Sequence, residues 1–202
     1  MDRLTLTFLR IGQAVRALAL EEAHAIGLTP AQAQTLLFIN GTKSFATTVR
    51  QLAATLGSTH ASTVGVIDGL AAKGLVTRAP GERDRRQTLL RLTPAGKELC
   101  GRLAGWGGQL GAALAGQPPA EREALERGLG AVVWSLRAAG HLTVAEPCRG
   151  CVHFAEEAAP GAPEPHYCRL LKAHLSEREA AKDCPEHEPL AGPDAADPPA
   201  GP

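Results

Sequence analysis

Ten of the fifteen prolines and four of the five cysteines of this 202-residue chain lie beyond Glu146. Proline has no amide hydrogen for a helix or a sheet ladder and fixes its own φ, so the C-terminal part cannot be built from long regular elements, whereas the first part can. Length fits one domain with a piece appended. The expected division is a helical domain over 1–145, a loop-rich, cysteine-containing extension over 146–190, and a tail over 191–202. That tail, AGPDAADPPAGP, is too polar and proline-rich to bury itself and is expected to be disordered. Only seven residues are aromatic, so any core must be built from Leu, Ala and Val, a composition that favours helices.

Helical spacing recurs through the first part. Leu4, Phe8, Ile11, Val15 and Leu18 form a stripe for a first helix over about residues 3–25, which Gly27 ends. Thr29-Pro30 offers a cap and a first-turn proline for a second helix, closed by Asn40-Gly41. A short third helix (Val49, Leu52, Ala53, Leu56) has Thr48 as its cap and Gly57 as its stop. Ser58 or Thr59 then caps a fourth, with Val64, Ile67 and Leu70 facing inward until Lys73-Gly74. Leu75–Thr77 and Thr88–Thr93 read as two strands around a charged tip, Glu82-Arg83-Asp84-Arg85-Arg86. After Thr93-Pro94, one long helix is predicted over about 95–115 and, beyond Pro118-Pro119, a last one over about 120–139.

Two helices meeting at Gly57 and followed by a charged hairpin predict a winged helix-turn-helix. The class is mainly α with a small β-hairpin wing, long flanking helices and the loop-rich extension. A helix-turn-helix lays its second helix in the major groove, where small polar side chains at the helix start reach base edges. Here that start supplies Ser58, Thr59, His60, Ser62 and Thr63, and the hairpin tip supplies Arg83, Arg85 and Arg86 for phosphates or a narrow minor groove.

Residues 48–96 resemble the winged-helix core of MarR-family transcriptional regulators. The most specific part is Asp84-Arg85-Arg86 followed by Leu90-Arg91-Leu92-Thr93-Pro94-Ala95-Gly96, and the similarity extends over about 5–140. The resemblance implies a homodimer through the first and last helices, bound to a pseudo-palindromic double-stranded DNA site and most often repressing transcription. It also implies that Arg86 enters the minor groove, that Asp84 orients the wing, and that Ser58 to Thr63 begin the recognition helix. Gly65-Val66 stands where such proteins often carry a basic or hydroxyl residue, and most of them end near the last helix, without an extension.

The extension spaces its cysteines as Cys148-x2-Cys151-x16-Cys168-x15-Cys184-Pro185. Four thiolates suit one tetrahedral zinc or one [4Fe-4S] cluster with a cysteine on each iron. Zinc sites usually bring two tight pairs; a single tight pair with two isolated cysteines, the last followed by proline, favours the cluster. Spacing of the first three resembles that of high-potential iron-sulfur proteins, although the last interval is longer and flanking aromatics are few. Zinc, alone or with a histidine among His153, His166 and His187, is the alternative, and a metal-free thiol switch the third. Tyr167 and Phe154 are expected to shield the site, and Cys100, beside Leu99 and Leu103, to be an inert buried thiol.

Lysine plus arginine equals aspartate plus glutamate at 21, a neutral sum that on its face excludes a nucleic-acid partner. It is a cancellation. Lys43 to Lys97 hold nine basic and three acidic residues, while 146–202 hold five basic and eleven acidic. The expected protein is thus a cytoplasmic, non-enzymatic regulator without membrane contact, partnered by double-stranded DNA and by itself, its cysteine centre sensing redox state, oxygen or iron. Two rivals stand beside it: a regulator answering to a small-molecule effector with a purely structural zinc, and a redox protein using the winged helix for protein contacts. No phosphate loop, nucleotide fingerprint or nucleophile motif supports an enzyme.

Overall fold

A computed structural model of the chain describes residues 1–81, 87–142 and 145–190. Two compact units emerge: Met1–Asn40 with Thr47–Thr143, and Gly41–Ala46 with Val144–Pro202. The division is not contiguous, because the six residues 41–46 belong with the extension, which no composition change announces.

In the first unit, α1 (Arg3–His24), α2 (Pro30–Gly41), α3 (Val49–Leu56) and α4 (His60–Ala72) precede the antiparallel strands β1 (Val76–Pro80) and β2 (Thr88–Leu92). Then come α5 (Pro94–Arg102), α6 (Gly108–Ala115) and α7 (Pro119–Ala138). Caps explain most boundaries. Thr29 and Gln32 exchange bonds at the start of α2, the Gln32 amide donating to Thr29 Oγ1 (3.3 Å) and the Thr29 amide to Gln32 Oε1 (3.2 Å). Thr48 caps α3 by accepting from the Gln51 amide at 3.2 Å, and Gly57 closes that helix at φ 58°. The hairpin runs from Val76↔Leu92 to Pro80↔Thr88 and is closed by the Gly81 amide donating to Gln87 O at 2.9 Å. The single helix expected over 95–115 is instead two, separated by a 3-10 turn over Leu103–Gly105. Gly107 makes the break: it adopts φ 78° and turns its amide out of the helical ladder onto Glu22 Oε2 at 2.9 Å.

The core of this unit is aliphatic. Leu36, Leu52, Ile67, Leu70 and Leu90 are at most 1 % exposed and pack with Leu28, Ile39, Val76, Cys100 and Leu103. Each fully buried side chain of this size contributes about 1.5–3 kcal/mol. Cys100 is buried as expected, with its Sγ donating to Leu36 O at 3.5 Å and its acidity weakened by burial. By contrast α6 and α7 bury no residue and α1 buries Ala23 alone among the described residues. Leu4, Phe8, Ile11 and Val15 on α1, and Leu125, Val132, Val133 and Leu136 on α7, repeat at helical spacing yet stand exposed in the single protomer.

The second unit carries a three-stranded antiparallel sheet, β3 (Phe154–Ala155), β4 (His166–Cys168) and β5 (Ala173–Leu175), followed by α8 (Glu177–Ala180). Ser176 caps α8, accepting from the Glu179 amide at 3.2 Å. Cys148, Cys168, Leu175 and Ala180 form its small core, with Phe154 and Leu171 against them. The expected tail, 191–202, lies outside the described residues. No helix among the described residues is long and apolar enough to cross a membrane.

Candidate functional site

The first candidate surface is the start of α4. Thr59 caps the helix, accepting from the Ser62 amide at 3.2 Å, and its hydroxyl lies 2.9 Å from that of Ser62. Ser58, Thr59, His60 and Ser62 are all exposed. Thr63, expected among the base-reading residues, is fully buried, its Oγ1 bonded to Thr59 O (3.0 Å) and to Ser58 Oγ (2.7 Å). It locks the cap from below, because a position four residues beyond Thr59 falls on the inward face with Ile67 and Leu70. Arg83, Asp84, Arg85 and Arg86 lie outside the described residues. One contact went unforeseen: Arg78 on β1 pairs with Asp68 on α4 at 2.6 Å and ties the base of the hairpin to this helix. Both partners are solvent-exposed, so the pair contributes at most about 1 kcal/mol and its use is positional.

Residues 26–87 match the MarR family. Comparison with curated protein sequences finds no match. Among solved structures, MarR of E. coli in its apo form is 25% identical with a TM-score of 0.54, covering 66% of this chain and 98% of that one. BpsR of Bordetella bronchiseptica, whose DNA binding is regulated by 6-hydroxynicotinic acid, is 25% identical at a TM-score of 0.54, covering 65% of this chain and 93% of its own. The S. aureus MepR–DNA complex shares the fold at a TM-score of 0.59 and 20% identity, over 67% of this chain and all of that one. The solved structures share the winged-helix fold of the first unit, and about a third of the chain falls outside them.

The second candidate site lies in the other unit. Cys148, Cys151, Cys168 and Cys184 are all buried, all reduced, and line one cavity together with His153, Phe154, Leu170, Leu171 and His187. Local turns bring them there. The Cys151 amide donates to Cys148 O at 3.0 Å, closing the tight pair, and the Cys148 amide donates to Ala180 O at 2.9 Å, four residues before Cys184. Cys168 ends β4, paired across to Phe154. Among the described residues no three His, Cys, Asp or Glu side chains converge closely enough to hold a single metal ion.

The histidines separate clearly. His166 is occupied structurally: its Nδ1 accepts from the Glu157 amide (3.3 Å), so its Nε2 carries the proton and donates to Glu177 Oε2 at 2.6 Å. That bond, with a second from Arg149, holds the Glu177 carboxyl below its usual range. His153 lines the cavity with its Nε2 3.3 Å from Glu188 Oε2. His187 is buried with neither ring nitrogen hydrogen-bonded, the nearest carboxylate oxygen of Glu146 being 3.7 Å away. Phe154 lines the cavity as expected of a shield, whereas Tyr167 does not and instead packs edge-on against His174, because alternate residues of β4 point to opposite faces.

Lys43 belongs to no motif that would single it out. It is 1 % exposed, and its Nζ donates to Glu179 O. Burial pushes the Cys148 and Cys184 thiols up, and the Lys43 ammonium works in the opposite direction. A lone lysine between a threonine and a serine carries no spacing signal, and only the fold places it beside cysteines more than a hundred residues away.

Proposed function

We propose that the chain is a homodimeric repressor that reads a pseudo-palindromic duplex through α4 and the wing, and that its four cysteines hold a [4Fe-4S] cluster reporting redox state, oxygen or iron. The observation that carries the DNA-reading part is the exposed, well-capped start of α4, with His60 and Ser62 outermost, in a MarR-matched segment. The dimer is supported by the exposed apolar stripes of α1 and α7, which a second copy would cover.

The cysteine cavity fits a cluster. Tetrahedral zinc at about 2.3 Å from each sulfur would bring the sulfurs to about 3.8 Å of one another. Four cysteines lining a common cavity offer one thiolate per iron. The unpartnered His187 supports a polar occupant, since a buried ring nitrogen without a partner is costly. When bound, such a cluster supplies one-electron redox chemistry. Cys148, Cys151, Cys168 and Cys184 would hold it, Phe154 and Leu171 would limit access of water, and His187 would donate its N–H toward it. Anaerobically prepared protein is expected to contain iron and acid-labile sulfide in equal amounts, and Cys168→Ser to lose both. Stoichiometric zinc without sulfide would contradict the cluster.

A second reading has its own observation. Val15, Leu18 and Ala19 of α1, with Trp106 and Leu110, line a separate, mostly apolar pocket that has the Glu22 carboxylate at its edge. It suits a small planar effector of the kind that regulates BpsR. Titrating Trp134→Phe protein with aromatic acids is expected to quench Trp106 fluorescence saturably if the pocket binds such a molecule; a linear response removes this reading.

A further inference from the structure

We infer that residues 41–46, the connection between α2 and α3, are the element through which the cysteine centre acts on the DNA-reading face, with Lys43 as the buried charge that holds the connection to the centre. The inference rests on the reading that the four cysteines hold a cluster.

The connection is bonded directly beside a ligand. Asp183, adjacent to Cys184, donates its amide to Gly41 O at 2.8 Å and accepts from the Lys43 amide at 3.0 Å, a parallel bridge centred on Thr42. The Lys43 side chain adds a third tie by donating to Glu179 O in α8. The next carbonyl, that of Ala180, takes the amide of Cys148. Gly41 to Lys43 are therefore fixed to the short stretch 179–183 that leads into Cys184 and supports Cys148.

The same connection is fixed at its other end to the DNA-reading elements. Thr47 O accepts from the Leu90 amide at 2.8 Å, Thr48 is bridged to Leu89 on β2, and Thr48 caps α3. Only Ser44–Ala46, one 3-10 turn, separates the two sets of bonds. A shift of 41–43 must be absorbed within three residues or passed to the cap of α3 and the base of the wing.

Charge supplies the reason for the shift. A buried ammonium is costly unless compensated. Among the described residues no carboxylate forms an ion pair with Lys43, while cysteine sulfurs stand near it. Four thiolates around a cluster core of charge 2+ leave the centre with net negative charge, which Lys43 offsets. Removing the centre removes that charge and leaves a buried cation, which weakens the bonds of 41–43.

The test uses full-length protein and a duplex enriched by selection. Lys43→Met keeps the length of the side chain and removes the charge. Loaded Lys43→Met is expected to show a more negative cluster reduction potential than wild type, with Lys43→Arg returning most of the difference. The ratio of duplex affinities between loaded and cluster-free protein, expected to exceed about fivefold in wild type, should fall towards one in Lys43→Met. An unchanged potential and an unchanged ratio overturn the inference. If Lys43→Met does not fold or load, amide exchange in wild type decides: faster exchange over 41–46 in the cluster-free than in the loaded form supports the inference, and equal exchange overturns it. Wild-type protein without iron and sulfide overturns the cluster reading and this inference together, whereas a loaded protein with equal exchange overturns this inference alone.

Discussion

Val133→Arg is expected to turn a dimer into a monomer and to reduce affinity for a selected duplex by at least about a hundredfold. Leu125, Val132, Val133 and Leu136 repeat at helical spacing along α7, and this helix buries nothing within its own protomer. An exposed stripe of this regularity needs a partner, and the matching stripe on α1 ends the same way. A charge placed at its centre would have to be desolvated in the interface without a counter-charge, a cost of several kcal/mol. A monomer contacts one half-site only, and specific protein–DNA complexes are typically at least about a thousandfold tighter than non-specific ones, so most of that margin is lost. Light scattering coupled to size exclusion reads the mass, and fluorescence anisotropy the affinity. A Val133→Arg protein that remains dimeric would show that α7 is not the interface.

Gly96→Ala is expected to destabilise the first unit by about 3 kcal/mol, at the upper end of the usual cost of overpacking. A Cβ on Gly96 would meet the backbone oxygen of Leu75 at 2.1 Å, where nothing flexible can yield. That oxygen is already in use: the Thr93 amide donates to it at 3.1 Å, while the Thr93 hydroxyl reaches Gly74 O at 2.7 Å. Thr93-Pro94-Ala95-Gly96 therefore works as one device. Threonine caps α5 through the Gly96 amide (3.0 Å), proline starts the helix, and glycine lets the helix start lie against the end of α4 and the beginning of β1. Gly65→Ala provides the control, since open space surrounds that position in α4 and alanine there should stabilise by up to about 1 kcal/mol. Thermal melts of both variants check the pair, and a Gly96→Ala protein that melts like wild type would contradict the packing described.

The same tetrapeptide shows what was legible in advance. Caps and stops act within four residues, so Thr29, Thr48, Thr59 and Thr93 marked helix starts correctly, and the hairpin followed from its flanking β-branched and leucine residues. The break at Gly107 was missed because it depends on Glu22, 85 positions away, receiving the glycine amide. Thr63 was misplaced for a related reason. A hydroxyl near a helix start looks the same in sequence whether it faces solvent or closes the cap from inside, and only the packing of α4 sets which. In the extension the spacing of the four cysteines was legible, and the fold brings them to line one cavity. Lys43 was not, because its partners lie across a sequence separation of 136 residues.

This chain is expected to read DNA as a two-fold dimer. Selection from a pool of random duplexes by the anaerobically purified full-length protein tests it most directly. The expected result is enrichment of an inverted repeat whose half-sites lie about one helical turn apart, with binding that weakens steeply as salt is raised. His60→Ala is expected to cost about 1–3 kcal/mol on that duplex. A pool that shows no enriched sequence after repeated rounds, with protein shown to be folded and dimeric, would contradict the claim.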